Sequence, residues 1–241
     1  MQNDETPVPA RVLVVTAHPD DVDFGVAGSV ATWTEAGAHV TYCVVTDGDA
    51  GGFDPAVPRR EIPAIRRAEQ TAAAAAVGVT DLVFLGYPDG RLEPTLELRR
   101  DIARVIRQVR PDRVVAQSPE RNWGRIFASH PDHLAAGEAA VCAVYPDARN
   151  PFAFPELAAE GLEAHTVAEL WLMATPRPDV FVDVTDTFGR KLAALRAHVS
   201  QETDRDGQLE SRLREWLGAS ALAAGLGAGR LVESFQRVVT A

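Results

Sequence analysis

Two short runs carry most of the residue types that do chemistry in concert: His18-Pro19-Asp20-Asp21 and His130-Pro131-Asp132-His133. Imidazole nitrogens and carboxylate oxygens are ligands for a divalent cation, and Pro19 stiffens the turn so that His18 and Asp21 can converge on one ion. Asp20 is then left over, the usual position of a general base that takes a proton from metal-activated water. His130 and His133 are three apart, so one helical face can present both. With His133 as the third ligand, the set leaves room for water, as a catalytic zinc site requires. His130 is then free, with Asp132 available to orient it, to polarise a carbonyl and protonate a leaving group. Spacing alone does not say which histidine binds. Each run alone also has a plainer reading, as a helix N-cap and an exposed first turn. Two such turns, each after a strand, weigh against that.

Those runs need elements that aim them. Val12 to Ala17 is an aliphatic stretch without polar alternation, as in a parallel strand covered on both faces. A helical pattern through Val22, Val26, Val30 and Trp33 follows, ending near Gly37. Strands are expected at 39–46, 81–85 and 113–117, with helices at 59–77 and 95–110 between them and another pattern at 134–144. Late strands at 167–174 and 179–184, helices at 185–200 and 208–226 and a last apolar segment at 231–239 complete the chain. Residues 145–165 give little periodic signal. The alternation predicts an α/β fold, a Rossmann-like doubly wound and mostly parallel sheet with helices on both faces. Ligands bind at the carboxyl ends of such strands, where both runs fall. Residues 1–10 read as a loose tail and 11–241 as a single domain.

The chain has 241 residues and a formal net charge of -10, which disfavours nucleic acid or an anionic membrane as the main partner. No stretch approaches the ~18 apolar residues of a membrane span, and the amino terminus lacks signal architecture. Cys43 and Cys142 lie in apolar runs and read as small core residues rather than a disulfide framework, so a reducing cytoplasm is the expected location. A homo-oligomer is left open. Trp33, Trp171 and Trp216 read as core, Arg99, Arg100, Arg104 and Arg107 as a solvated helix face, and His198 as a helix-terminal cap.

AHPDD at 17–21 together with SHPDH at 129–133 resembles the zinc-dependent N-deacetylases of the PIG-L (LmbE-like) family, which includes the mycothiol- and bacillithiol-pathway deacetylases. TDGDAGG at 46–52, Arg66 with Glu69, LGYPDG at 85–90 and HVSQ at 198–201 extend the resemblance along most of the chain. It implies a Zn²⁺ cofactor on His18, Asp21 and His133, Asp20 as general base, and His130 as electrophilic or acid partner held by Asp132. It puts Arg66 and Asp89 on the hydroxyls of an amino sugar. The implied reaction is hydrolysis of the N-acetyl group of an N-acetylglucosamine-type amino sugar or glycoconjugate. One position departs: mycothiol deacetylases have a tyrosine two residues before the first histidine of the second motif, and here it is Ala128. Phe127 and Trp123 are candidates to line a sugar pocket instead.

Three other functions compete. An amidase for a larger acyl group or a thiol-sugar conjugate would use the same chemistry with a different acyl pocket, which residues 145–165 could shape. Two histidines and a carboxylate also form the facial triad of non-haem iron enzymes. A non-catalytic sugar or nucleotide binder lacks support, because HPDD and not GxGxxG follows the first strand.

Overall fold

The computed structural model describes residues 8–201 and 204–241, so residues 1–7 of the expected tail lie outside the described residues. In chain order the elements are β1 (Arg11–Thr16), α1 (Asp21–Gly25), α2 (Ala27–Glu35), β2 (His39–Thr46), α3 (Ile62–Ala76), β3 (Asp81–Tyr87), α4 (Leu96–Val109), β4 (Arg113–Gln117), α5 (Pro131–Cys142), α6 (Pro155–Ala159), β5 (Glu169–Met173), β6 (Val180–Asp183), α7 (Phe188–Arg196), α8 (Leu209–Ala223) and β7 (Val232–Val239). Among the described residues, seven strands form one sheet in the order β3-β2-β1-β4-β5-β7-β6. The first five are parallel, and β7 lies antiparallel between β5 and β6.

β1 shows why its sequence is apolar throughout. Val12 and Val14 pack into a core with Val22, Val30, Ala73 and Val77, while Leu13 and Val15 pack into a second core with Leu98, Ile102 and Ala136. Both faces of the strand are therefore removed from water, and neither can be polar. A third cluster joins α7 to α8 through Phe188, Leu195, Leu213 and Leu217.

The helical pattern after β1 is not one helix. It breaks at Val26 (φ -145°, ψ 3°) into α1 and α2. A break frees carbonyls at the end of one helix and amides at the start of the next. Here a fully buried ion pair satisfies them. Lys191 Nζ donates to the carbonyls of Asp23 (2.8 Å) and Phe24 (2.7 Å), and to Glu233 Oε1 (2.7 Å). Glu233 in turn accepts from the amides of Gly28 (3.0 Å) and Ser29 (2.8 Å).

Arg107 corrects the solvated-face expectation for its helix. It is 2% exposed, and its guanidinium donates to the carbonyls of Asp147, Ala148, Asn150, Ala153 and Leu162. The irregular stretch 145–165 thus wraps around one arginine. Its backbone carbonyls make these contacts, while Ala148, Phe154, Leu157 and Leu162 reach the core at irregular spacing, so no periodic pattern results.

Candidate active site

The strand order reverses direction at β1, whose neighbours are β2 on one side and β4 on the other. The loops leaving β1 and β4 must part at this switch point, which opens a crevice at the carboxyl edge of the sheet. The two histidine runs sit where those loops enter α1 and α5, and the Gln117 side chain at the end of β4 ties the strand ends by accepting from the Ala17 amide (2.9 Å). Close approach of α5 depends on Gly137, one turn beyond His133. A Cβ there would stand 2.3 Å from the Gln117 carbonyl oxygen.

The turn after β1 is tight. Asp20 has φ 90°, a left-handed conformation that a residue with a Cβ adopts only under constraint. The constraint is visible: the Asp20 amide donates to Gln70 Oε1 (2.7 Å), and Arg66 donates to the Pro19 carbonyl and to Asp20 Oδ2 (3.1 Å). Arg66 and Gln70 lie four apart on α3, so one helical face supplies both. Gln70 continues to Asp23 Oδ2 (2.9 Å), whose other partner is His198 Nε2 (2.8 Å). His198 is therefore a buried site-supporting residue and not the helix cap expected of it.

Donor atoms of three residues converge in the crevice. His18 Nδ1 lies 3.2 Å from His133 Nε2 and 3.2 Å from Asp21 Oδ2, and His133 Nε2 lies 3.0 Å from Asp21 Oδ1. Ligands at the ~2.0–2.1 Å distances of a tetrahedral zinc site stand roughly 3.3 Å apart, so this triangle fits such an ion. The remaining ring positions fit too. His18 Nε2 faces Asp132 Oδ2 (3.2 Å) and Asp89 Oδ1 (3.1 Å), and His133 hydrogen-bonds the Ala128 carbonyl. Carboxylate and carbonyl partners of this kind fix the tautomer that leaves the facing nitrogen free for a metal. Two other groupings also place donor atoms together: His18, His130 and His133, and His18, Asp89 and Asp132. Asp132 is already occupied, accepting from the amides of Gly90 (2.7 Å) and Leu92 (3.2 Å).

Asp132 does not hold His130 as the sequence suggested. Its carboxylate holds His18, while its backbone amide donates to His130 Nδ1 (3.2 Å), making His130 the N-cap of α5. The reason is positional: the first turn of a helix has unpaired amides, and the N-cap side chain is the group that reaches them. With Nδ1 accepting, the proton of the neutral ring sits on Nε2. Desolvation and the neighbouring His18 and His133 hold the His130 pKa below its ordinary value, which favours that neutral form. Desolvation, with Asp21 beside it, pushes the Asp20 carboxyl up to about 7 against the pull of Arg66.

Arg66 and Asp89, expected on sugar hydroxyls, are both buried and already engaged, Arg66 by Asp20 and Asp89 by His18. Phe127 is 88% exposed and lines a cavity beside Asp21 and His133, whereas Trp123 is 80% exposed and lies outside it. Trp33 and Trp171 are core as expected; Trp216 is half-buried and lines that cavity.

A family model described as GlcNAc-PI de-N-acetylase (PIG-L) matches residues 13–144. The chain is 35% identical over 191 residues to diacetylchitobiose deacetylase of Thermococcus kodakarensis, covering 79% of this chain and 70% of that protein. It is 34% identical over 198 residues to a probable N-acetyl-alpha-D-glucosaminyl L-malate deacetylase 2 of Bacillus anthracis, covering 79% and 81%. Among solved structures, the N,N'-diacetylchitobiose deacetylase of Pyrococcus horikoshii superposes with a TM-score of 0.87 at 30% identity, covering 96% of this chain and 84% of that one.

Proposed function

The chain belongs to the GlcNAc-PI de-N-acetylase (PIG-L) family, and from that premise we propose that it is a zinc-dependent deacetylase removing the N-acetyl group of an N-acetylglucosamine-type substrate. The observation that carries the reading is the triangle of His18, Asp21 and His133 with two further groups beside it, the Asp20 carboxylate held by Arg66 and the imidazole of His130.

His18, Asp21 and His133 are the proposed zinc ligands. A bound divalent cation supplies Lewis acidity there, acidifying a water and polarising the acyl carbonyl. Asp20 takes the proton of the attacking water, held in place by Arg66 and by the Gln70 clamp on its amide. His130 donates its Nε2 proton as a hydrogen bond to the carbonyl oxygen while negative charge gathers on it. The proton held by Asp20 passes to the departing nitrogen, and acetate and a free amino sugar result. Arg66 positions Asp20; Asp89 and Asp132 position His18. The unpaired thiols of Cys43 and Cys142 suit the proposed cytoplasmic location, and no helix among the described residues is long and apolar enough to cross a membrane.

The test is acetate release from a panel of N-acetylglucosaminides, with metal content determined on the same protein. The expected result is about one zinc per chain and release of acetate with the matching free amine. A fully zinc-loaded protein that releases acetate from no member of the panel overturns the reading.

A further inference from the structure

Beside the three histidines, a cavity of about 310 Å³ extends from Asp21 and His133 out to Thr175 and Trp216. Phe24, Phe127, Met173, Trp216 and Leu217 make it largely apolar, and the small side chain of Ala128 leaves it wide next to His133. Pockets that enclose whole ligands start at roughly 300 Å³, so this space exceeds what a two-carbon acetyl group needs. It is room for another part of the substrate.

Charge within it is unevenly committed. Asp21 faces His18 and His133, and both oxygens of Glu233 are taken by Gly28, Ser29 and Lys191. That leaves Arg125. Its guanidinium lies over the Trp216 ring, 3.8 Å from the centroid, and among the described residues no carboxylate pairs with it. Arg66, which also stands by the site, is by contrast held by Asp20. Desolvation also holds the Arg125 pKa below its ordinary value, with no opposing contribution from an acidic neighbour. A guanidinium placed over an indole face still has N–H groups to offer, and they match a planar or tetrahedral anion in two parallel hydrogen bonds.

We propose that this cavity is the subsite for the remainder of the substrate and that it selects an amino sugar carrying an anionic group, carboxylate or phosphate, on an apolar or aromatic linkage. Arg125 is the specificity-determining cation and Trp216 the platform that holds it. The subsite rests on the deacetylase reading for its substrate class, and its test separates the two.

Binding and turnover are measured side by side on zinc-loaded protein. The binding probes are the phenyl, 4-carboxyphenyl and 4-phosphonooxyphenyl glycosides of glucosamine, titrated calorimetrically; the turnover probes are their N-acetyl counterparts, with N-hexanoylglucosamine added. An anionic probe is expected to bind on the order of tenfold tighter than the phenyl one, since hydrogen bonds to charged groups carry that much. Arg125→Gln brings this ratio toward one and Arg125→Lys keeps part of it; whichever anion gives the larger ratio identifies the group. Equal binding of all three probes overturns the subsite, as does a loss in Arg125→Gln that falls equally on neutral and anionic probes. Preferred turnover of N-hexanoylglucosamine also overturns it, by making the cavity an acyl pocket. An intact binding ratio without acetate release from any probe keeps the subsite and sinks the deacetylase reading; acetate release with a flat ratio does the reverse.

Discussion

Asp20 and Asp21 are adjacent and chemically identical, yet the fold gives them different partners. Asp21 lies between two imidazoles, while Asp20, turned aside by its left-handed backbone, meets Arg66. Replacing Asp20 by Asn is therefore expected to lower kcat on the order of 10²- to 10⁴-fold with the zinc content unchanged; atomic absorption showing lost metal would make Asp20 a ligand. The proposed base works only when ionised. Because desolvation and Asp21 raise its carboxyl to about 7, kcat/KM should fall as the pH drops through the region near or below 7, and the residual activity of Asp20→Asn should lack that limb. The two histidines of the second run separate in the same way. His133→Ala is expected to release the metal, whereas His130→Ala keeps it and loses about 10² to 10³ in kcat, the size of a missing oxyanion donor. Metal loss in both variants would favour the three-histidine donor set instead.

At the scale of elements, the site depends on where two helices begin. α5 begins one residue after His130, and Gly137 brings it against the end of β4. Gly137→Val puts side-chain atoms where the Gln117 carbonyl stands, and overpacking of this kind destabilises by about 1–3 kcal/mol. Denaturant unfolding should register that loss, and zinc affinity should fall with it as His133 moves; unchanged stability would mean the contact relaxes freely. α1 begins at Asp21 and is anchored at its other end by the buried Lys191 and Glu233. Lys191→Met leaves Glu233 buried without its cation and the carbonyls of Asp23 and Phe24 without a donor, a change expected to cost about 3–5 kcal/mol. Lys191→Met with Glu233→Gln should recover part of it, and a double variant no more stable than the single one would deny the coupling.

At the scale of the molecule, the proposed ligands come from the segments that follow β1 and β4, 115 residues apart for His18 and His133 but adjacent in the sheet. A cation held by both loops binds only the folded state. Zinc at 100 to 1,000 times its Kd should therefore raise unfolding stability by about 2.7–4.1 kcal/mol. Scanning calorimetry with and without a chelator checks this, and His133→Ala should show no such difference. A shift of equal size in that variant would place the stabilising ion elsewhere.

The sequence by itself was enough for the strands β1, β2 and β4, because a strand buried on both faces must be apolar along its length, and for the two histidine runs, because their residue types have few other uses in such close company. It also carried the family resemblance that the comparisons bear out. What only the tertiary structure decided were the partnerships. The sequence cannot say that Asp132 turns its carboxylate to His18 and its amide to His130, since both lie within reach of one helix turn. Nor can periodicity reveal that Arg107 gathers five carbonyls or that Lys191 and Glu233 close the break between α1 and α2. Local patterns report which face of an element avoids water. Which polar group finds which is set by chain segments far apart in sequence, and only the folded sheet brings those together.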